Sequence, residues 1–143
     1  MKINTLRFGE IEIEDERVFN FVMPIIGFNE LKKFVIIDFN KDSFFKWLQS
    51  VEDPALAFPI VSVFSMNVDY SIDLPDNVVE KLKINNVESL LVMNIASIPQ
   101  ENPQGTTLNL LAPIVFNLDE KIAGQVILSG SGYDTSFPLF KKN

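Results

Sequence analysis

The chain has 143 residues, a formal charge of −7, and neither cysteine nor histidine, which excludes disulfides, thiolate metal sites, a Cys nucleophile and every His-dependent triad, and argues against zinc. With 47% apolar residues and 13 Phe, it can bury a real core rather than remain disordered. No apolar run approaches the about 18 residues of a spanning helix, and the first residues show no leader pattern, so a soluble, cytoplasmic, single-domain protein over residues 1–143 is expected.

Taken in chain order, "KINTLRFGEIEIE" reads as two strands around a Phe8-Gly9 turn. Ile11 and Ile13 alternate with Glu10, Glu12 and Glu14, one face apolar and the other acidic. "RVFNF" continues as strand, "MPIIGF" is a loop by its Pro and Gly, "NELKK" fits one helical turn, and "FVIIDF" is a strand by its β-branched and aromatic content. "FFKWLQS" and "LAFPIVSVF" are strands flanking the "VEDP" turn. Pro59 argues for an edge or bulge position in the second of them. In the first, Phe45 and Trp47 fall on one face and Phe44, Lys46 and Leu48 on the other. Trp47, the only tryptophan, is expected to anchor the core; the alternative is an aromatic that faces a partner.

In "DLPDNVVEKLKI", Pro75 suits a helix start, Asp76 and Glu80 its N-terminal end, and Lys81 and Lys83 its C-terminal end. "SLLVMNIASI" is a long strand, "PQENPQG" a loop, and "TTLNLLAPIVFN" one or two strands broken near Pro113. "LDEKIAG" turns the chain into a "QVILS" strand, and "GSGYDTSFP" is a loop before the "LFKKN" tail. About ten short strands with one or two short helices, and no repeat, point to a mainly β fold: a small antiparallel β-barrel or barrel-like sandwich.

Acidity is unevenly placed. Residues 10–16 hold five acids and residues 52–80 six, with no base in either; together they carry −11 and leave +4 for the remainder. Such a surface repels nucleic-acid phosphates, serves solubility, and favours a basic partner. The trio Glu10, Glu12 and Glu14 is the one carboxylate cluster that resembles a calcium site, but a regular strand does not wrap an ion. "SGSGYDTS" lacks the Lys and following helix of a phosphate-binding loop and reads as a turn. Asp134 and Ser136 have no partnering base. Aromatic platforms for nucleic acid would need a basic groove, which is missing. No cofactor is called for.

Four blocks, "IIGFNELKKFVIIDF", "FKWLQSVEDPALAFPIV", "DYSIDLPD" and "NLLAPIVFN" followed by "QVIL", occur in an order and spacing similar to the flagellar assembly factor FliW family. The resemblance runs from "RFGEIEI" to "FPLF". It implies a non-enzymatic β-barrel chaperone of flagellum biogenesis that binds two partners, flagellin and CsrA, an RNA-binding translational repressor. The two compete, so that secretion of flagellin frees the protein to antagonise CsrA and relieve repression of flagellin translation. Two departures stand out: "FVMPIIGF" where the family often has Phe-Pro before its loop, and Phe137-Pro138 where it often has His-Pro. No role of that His carries over. For the partner surface, two acidic patches compete: Asp69, Tyr70, Asp73 and Asp76, favoured because a Tyr among carboxylates offers a contact anchor, and Glu10, Glu12 and Glu14. The rival function is a small-molecule-binding or carboxylate-dependent hydrolytic β-barrel, and a third is a scaffold with neither partner.

Overall fold

The computed structural model describes residues 1–38 and 45–140. Strands β1 (Lys2–Thr5) and β2 (Gly9–Glu12) form the expected hairpin, with Ile3 opposite Ile11. Its turn is closed by the Thr5 hydroxyl, which accepts from the Phe8 amide and donates to the Gly9 carbonyl, both at 2.8 Å. Gly9 sits at φ 69°, a left-handed conformation that costs glycine nothing.

Seven strands close a barrel: β3 (Val18–Met23), β4 (Lys33–Ile37), β5 (Lys46–Ser50), β6 (Ala57–Val61), β7 (Leu90–Ser97), β9 (Ile114–Asn117) and β10 (Ile122–Gln125), with β10 returning to β3. Two further short strands, β8 (Thr107–Leu108) and β11 (Phe137–Pro138), extend from the far end of β7. The sequence left barrel and sandwich open. Closure decides for the barrel, because the β7–β9 pairing joins the two ends of the sheet.

Each barrel strand sends side chains inward. Phe19 and Phe21 of β3, Phe34 of β4, Leu48 of β5, Ile60 of β6, Met93 of β7, Ile114 and Phe116 of β9 and Ala123 of β10 form one buried cluster. Phe116 meets Phe19 and Phe21 edge-on, with centroids 4.9 and 6.0 Å apart, the geometry that aromatic quadrupoles favour. The barrel is therefore filled, which leaves no interior room for the ligand of a small-molecule reading. A second cluster lies outside the barrel wall, where Val61, Val115 and Val126 are covered by Tyr70, Val78, Leu82, Leu108 and Leu110. A third joins the hairpin to the wall through Ile3, Ile13, Val18 and Val35.

Several expectations change. The pairing of β10 with β3 is parallel, with a register shift between Ala123 and Gly124, so the barrel is not wholly antiparallel. "NELKK" forms turns rather than a helical turn, with Leu31 N–H donating to the Phe28 carbonyl. The strand after β9 covers Ile122–Gln125 instead of "QVILS", because Lys121 takes φ 55° and turns the chain back at once. "GSGYDTSFP" ends in the short strand β11. Helix α1 (Asp76–Lys81) stands where Pro75 placed it. Phe39 and Phe44, assigned above to strands, and Lys141 to Asn143 of the tail, lie outside the described residues.

Pro59 lies on an interior strand, yet the reason for expecting an edge holds locally. The Ser50 amide donates to the Leu56 carbonyl. By ladder alternation this makes Trp47–Pro59 a non-hydrogen-bonded pair and turns the proline nitrogen away from β5. On that far side, pairing with β7 covers only Ile60 and Val61. Proline sits where no N–H is needed.

Candidate partner-binding surface

Between Val61 and β7 the chain crosses the outer barrel wall as a short 3-10 turn (Val63–Ser65), an extended stretch, and α1. This crossing is pinned by Tyr70. Its ring packs edge-on against Tyr133, with centroids 4.8 Å apart. Its hydroxyl donates to the Leu110 carbonyl at 2.6 Å and accepts from Asn94 Nδ2 at 3.2 Å. Tyr133 repeats the device, its hydroxyl accepting from the Ser71 amide at 2.9 Å. Burial pushes the Tyr70 hydroxyl pKa above its ordinary value, the Asn94 hydrogen bond opposing and the neighbouring Tyr133 adding to the rise.

Tyr70 is only 7% exposed, which corrects the expectation of an exposed anchor. A tyrosine with one apolar face and a satisfied hydroxyl belongs inside. Its neighbours Asp69, Asp73 and Asp76 are exposed, as expected. Local sequence could not separate the two cases, since the carbonyl that captures Tyr70 lies 40 residues away.

What the crossing leaves open is an apolar groove of about 720 Å³, lined by Phe64, Ile72, Leu74, Val79, Val87 and Val92 among others. Phe64 and Val87 at its border are 49% and 78% exposed. These large apolar side chains are open to water, which makes the groove the feature of this face best suited to a protein partner, while Asp73 of the same crossing lines a separate groove with Ser71, Pro75 and Tyr133. The α1 end of the groove is fixed by buried Asn117, whose Nδ2 donates to the carbonyls of Leu82 (2.8 Å) and Lys83 (3.1 Å). These carbonyls lie just past the end of α1, where no further helical amide follows to meet them. Sequence reasoning missed Phe64 and Val87, because Phe64 reads as an ordinary core residue at the end of an apolar run and Val87 stands alone among polar residues between two elements.

The other trio stays on the hairpin, and Glu10, Glu12 and Glu14 are all exposed. Lys2 Nζ lies 3.9 Å from Glu10, so part of this charge is already answered within the hairpin. Glu14 lies past the end of β2. Among the described residues no three acidic side chains gather as a metal site would require. Asp134 serves its own turn, Oδ1 accepting from the Ser136 amide at 2.9 Å. Of the acids in "VEDP", Glu52 is bound to backbone: its Oε1 accepts from the amides of Lys32 (2.6 Å) and Lys33 (2.8 Å).

Trp47 is half-buried and belongs to none of the three core clusters. The expectation of a core anchor is corrected. Its ring lies on the outer face of β5, with the Arg7 guanidinium 4.0 Å above it and Phe8 edge-on at 6.0 Å. The interior position on this strand goes to Leu48, which is fully buried.

Comparison with known proteins agrees with this architecture. Residues 2–139 match the model of the FliW protein family. The flagellar assembly factor FliW of Clostridium novyi is 39% identical over 99% of both chains, and that of Clostridium tetani is 34% identical over 99% of this chain and 97% of its own. A crystal structure of the flagellar assembly factor FliW superposes with a TM-score of 0.92 at 37% identity, covering 99% of each chain. The filled barrel, its outer crossing and the full-length similarity lead to one assignment: the chain belongs to the FliW family.

Proposed function

We propose that this protein is a non-enzymatic flagellar assembly factor that works in the cytoplasm by holding two protein partners in turn: a CsrA-type RNA-binding regulator and flagellin. The observation that carries this reading is the apolar groove behind Phe64 and Val87, on a crossing whose acids Asp69, Asp73 and Asp76 have no base within 4.0 Å among the described residues. Apolar lining supplies binding energy, and the acids speed encounter with a basic surface while opposing RNA that the same surface would otherwise hold. Binding of the regulator here relieves repression of flagellin translation, and flagellin displaces it. The contact anchors are then Phe64 and Val87, with Asp69, Asp73 and Asp76 as the steering charges.

The test uses purified regulator and flagellin with three variants. Phe64→Ser combined with Val87→Ser should weaken binding about ten-fold or more, as loss of apolar anchors does. Asp69→Lys, Asp73→Lys and Asp76→Lys together should lower the association rate and its salt sensitivity. The same reversal at Glu10, Glu12 and Glu14 should act less, because Lys2 already answers part of that charge. Parent-like binding by the first two variants removes the groove from the reading. Failure of the parent to bind either protein removes the partners themselves.

A further inference from the structure

A second groove lies elsewhere on the barrel wall, where β6 and β7 part. Their ladder ends at Ile60–Ile95, and beyond it β7 pairs Ala96 and Ser97 only with β8, on its opposite edge. Ala57 and Pro59 are thereby left without a strand partner on that side. The groove encloses about 580 Å³, with Trp47 and Pro59 opposite each other in its lining and Ile98, Pro99 and Pro103 bordering it from the β7–β8 loop. Arg7, on the hairpin turn, completes it.

Two features of this groove lie outside the buried cores of the fold. Trp47 lies outside every core cluster although it is the largest side chain present. Arg7 is exposed, lies over the Trp47 ring, and has no carboxylate within 4.0 Å among the described residues, whereas Lys2 and Lys46 each have one. Most described Lys and Arg side chains likewise lack an ion pair; what sets Arg7 apart is its place over the Trp47 ring, which leaves it open to an external anion. An Arg held over an aromatic face keeps its N–H edge free to take a carboxylate.

We infer that this groove docks an extended acidic segment of a protein partner, which lays an apolar side chain, best a proline, on Trp47 and a carboxylate on Arg7. A Trp among prolines suits the rigid, ridged surface of an extended peptide, as aromatic grooves for proline-rich segments do. The unpaired backbone of Ala57 and Pro59 adds acceptors for the N–H groups such a segment carries. The acid is the specific element: Glu101 of the bordering loop and Glu52 and Asp53 of the β5–β6 turn lie near the groove residues in sequence, and their repulsion is damped over a Debye length of about 10 Å at 0.1 M salt. The inference does not rest on the partners proposed for the Phe64 groove.

Because Trp47 is the only tryptophan, its emission reports the groove directly. The probes are three sets of synthetic dodecapeptides with the same proline and leucine positions, in which the remaining positions are Glu, Gln or Lys. The Glu set should change Trp47 emission saturably, with midpoints about ten-fold below those of the Gln and Lys sets, since a charged hydrogen bond contributes at least that factor. Arg7→Gln should erase the difference between the Glu and Gln sets, and Arg7→Lys should restore most of it. Circular dichroism and the denaturation midpoint show whether each variant is folded. The inference is overturned if no set perturbs the emission below millimolar concentration, if the Lys set binds as well as the Glu set, or if folded Arg7→Gln keeps the preference for Glu.

Discussion

Tyr70 and Trp47 exchange the places that their sequences suggested. Tyr70 stands among aspartates, yet it is buried because the Leu110 carbonyl and Asn94 meet its hydroxyl. Tyr70→Phe should therefore cost about 1–3 kcal/mol, as the loss of a buried hydrogen bond leaves the carbonyl unpaired; an unchanged urea midpoint would show that the hydroxyl contributes nothing. The raised pKa of Tyr70 also fixes a pH dependence. Above pH of about 10 the unfolded tyrosine releases its proton before the folded one does, so the folded state holds more protons. Its stabilising contribution is complete below that pH and is lost as pH rises through the folded value. Parent protein should lose stability above pH of about 10 more steeply than Tyr70→Phe, which alkaline urea titrations of the pair will measure. For Trp47, half-burial and one cation contact set the scale: Trp47→Ala should cost about 1–2 kcal/mol, below the roughly 3–5 kcal/mol of a core aromatic. A loss in the higher range would return Trp47 to the core.

At the scale of elements, the parallel contact of β10 with β3 turns on Gly124. A Cβ there would lie 2.7 Å from Met23 Cβ, at the point where the register shifts. Gly124→Ala should destabilise by about 1–3 kcal/mol through overpacking between two strand backbones, read as a lowered denaturation midpoint; a neutral result would mean that the two strands can separate at no cost. The β5–β6 turn is held from its own side and from the adjacent strand β4. Ser50 Oγ accepts from the Asp53 amide at 2.9 Å and Asp53 Oδ1 from the Ala55 amide at 3.1 Å, while Glu52 ties the turn to the start of β4. Asp-Pro announced the turn from sequence alone. That Glu52 would bind the amides of Lys32 and Lys33, about twenty residues earlier, had no local signal.

For the whole molecule, charge decides which partners are possible. At −7 with its bases scattered, the protein offers too few cations to release counterions from a nucleic acid. Purified protein should leave RNA and DNA unshifted in gels at moderate salt, and a shift at micromolar protein would overturn the charge argument.

The sequence by itself determined the strand-rich composition, the β1–β2 hairpin with its alternating isoleucines and glutamates, the start of α1 at Pro75, the exclusion of His- and Cys-based chemistry, and the family. Those signals are local: a period of two, a turn dipeptide, an absent residue type. Tertiary structure decided what covers each apolar face. Phe34 and Phe116 face into the barrel, Val61 and Tyr70 are covered from outside, and Phe64 and Val87 stay open to water. In sequence nothing local tells Phe64 from Phe34 or Phe116, and the setting of Tyr70 among aspartates suggests the opposite of its burial. Alternation records that a side chain avoids water on one side of a strand, whereas the layer that shields it, or leaves it free for a partner, comes from pairings such as β7–β9 and β3–β10 between residues far apart in the chain.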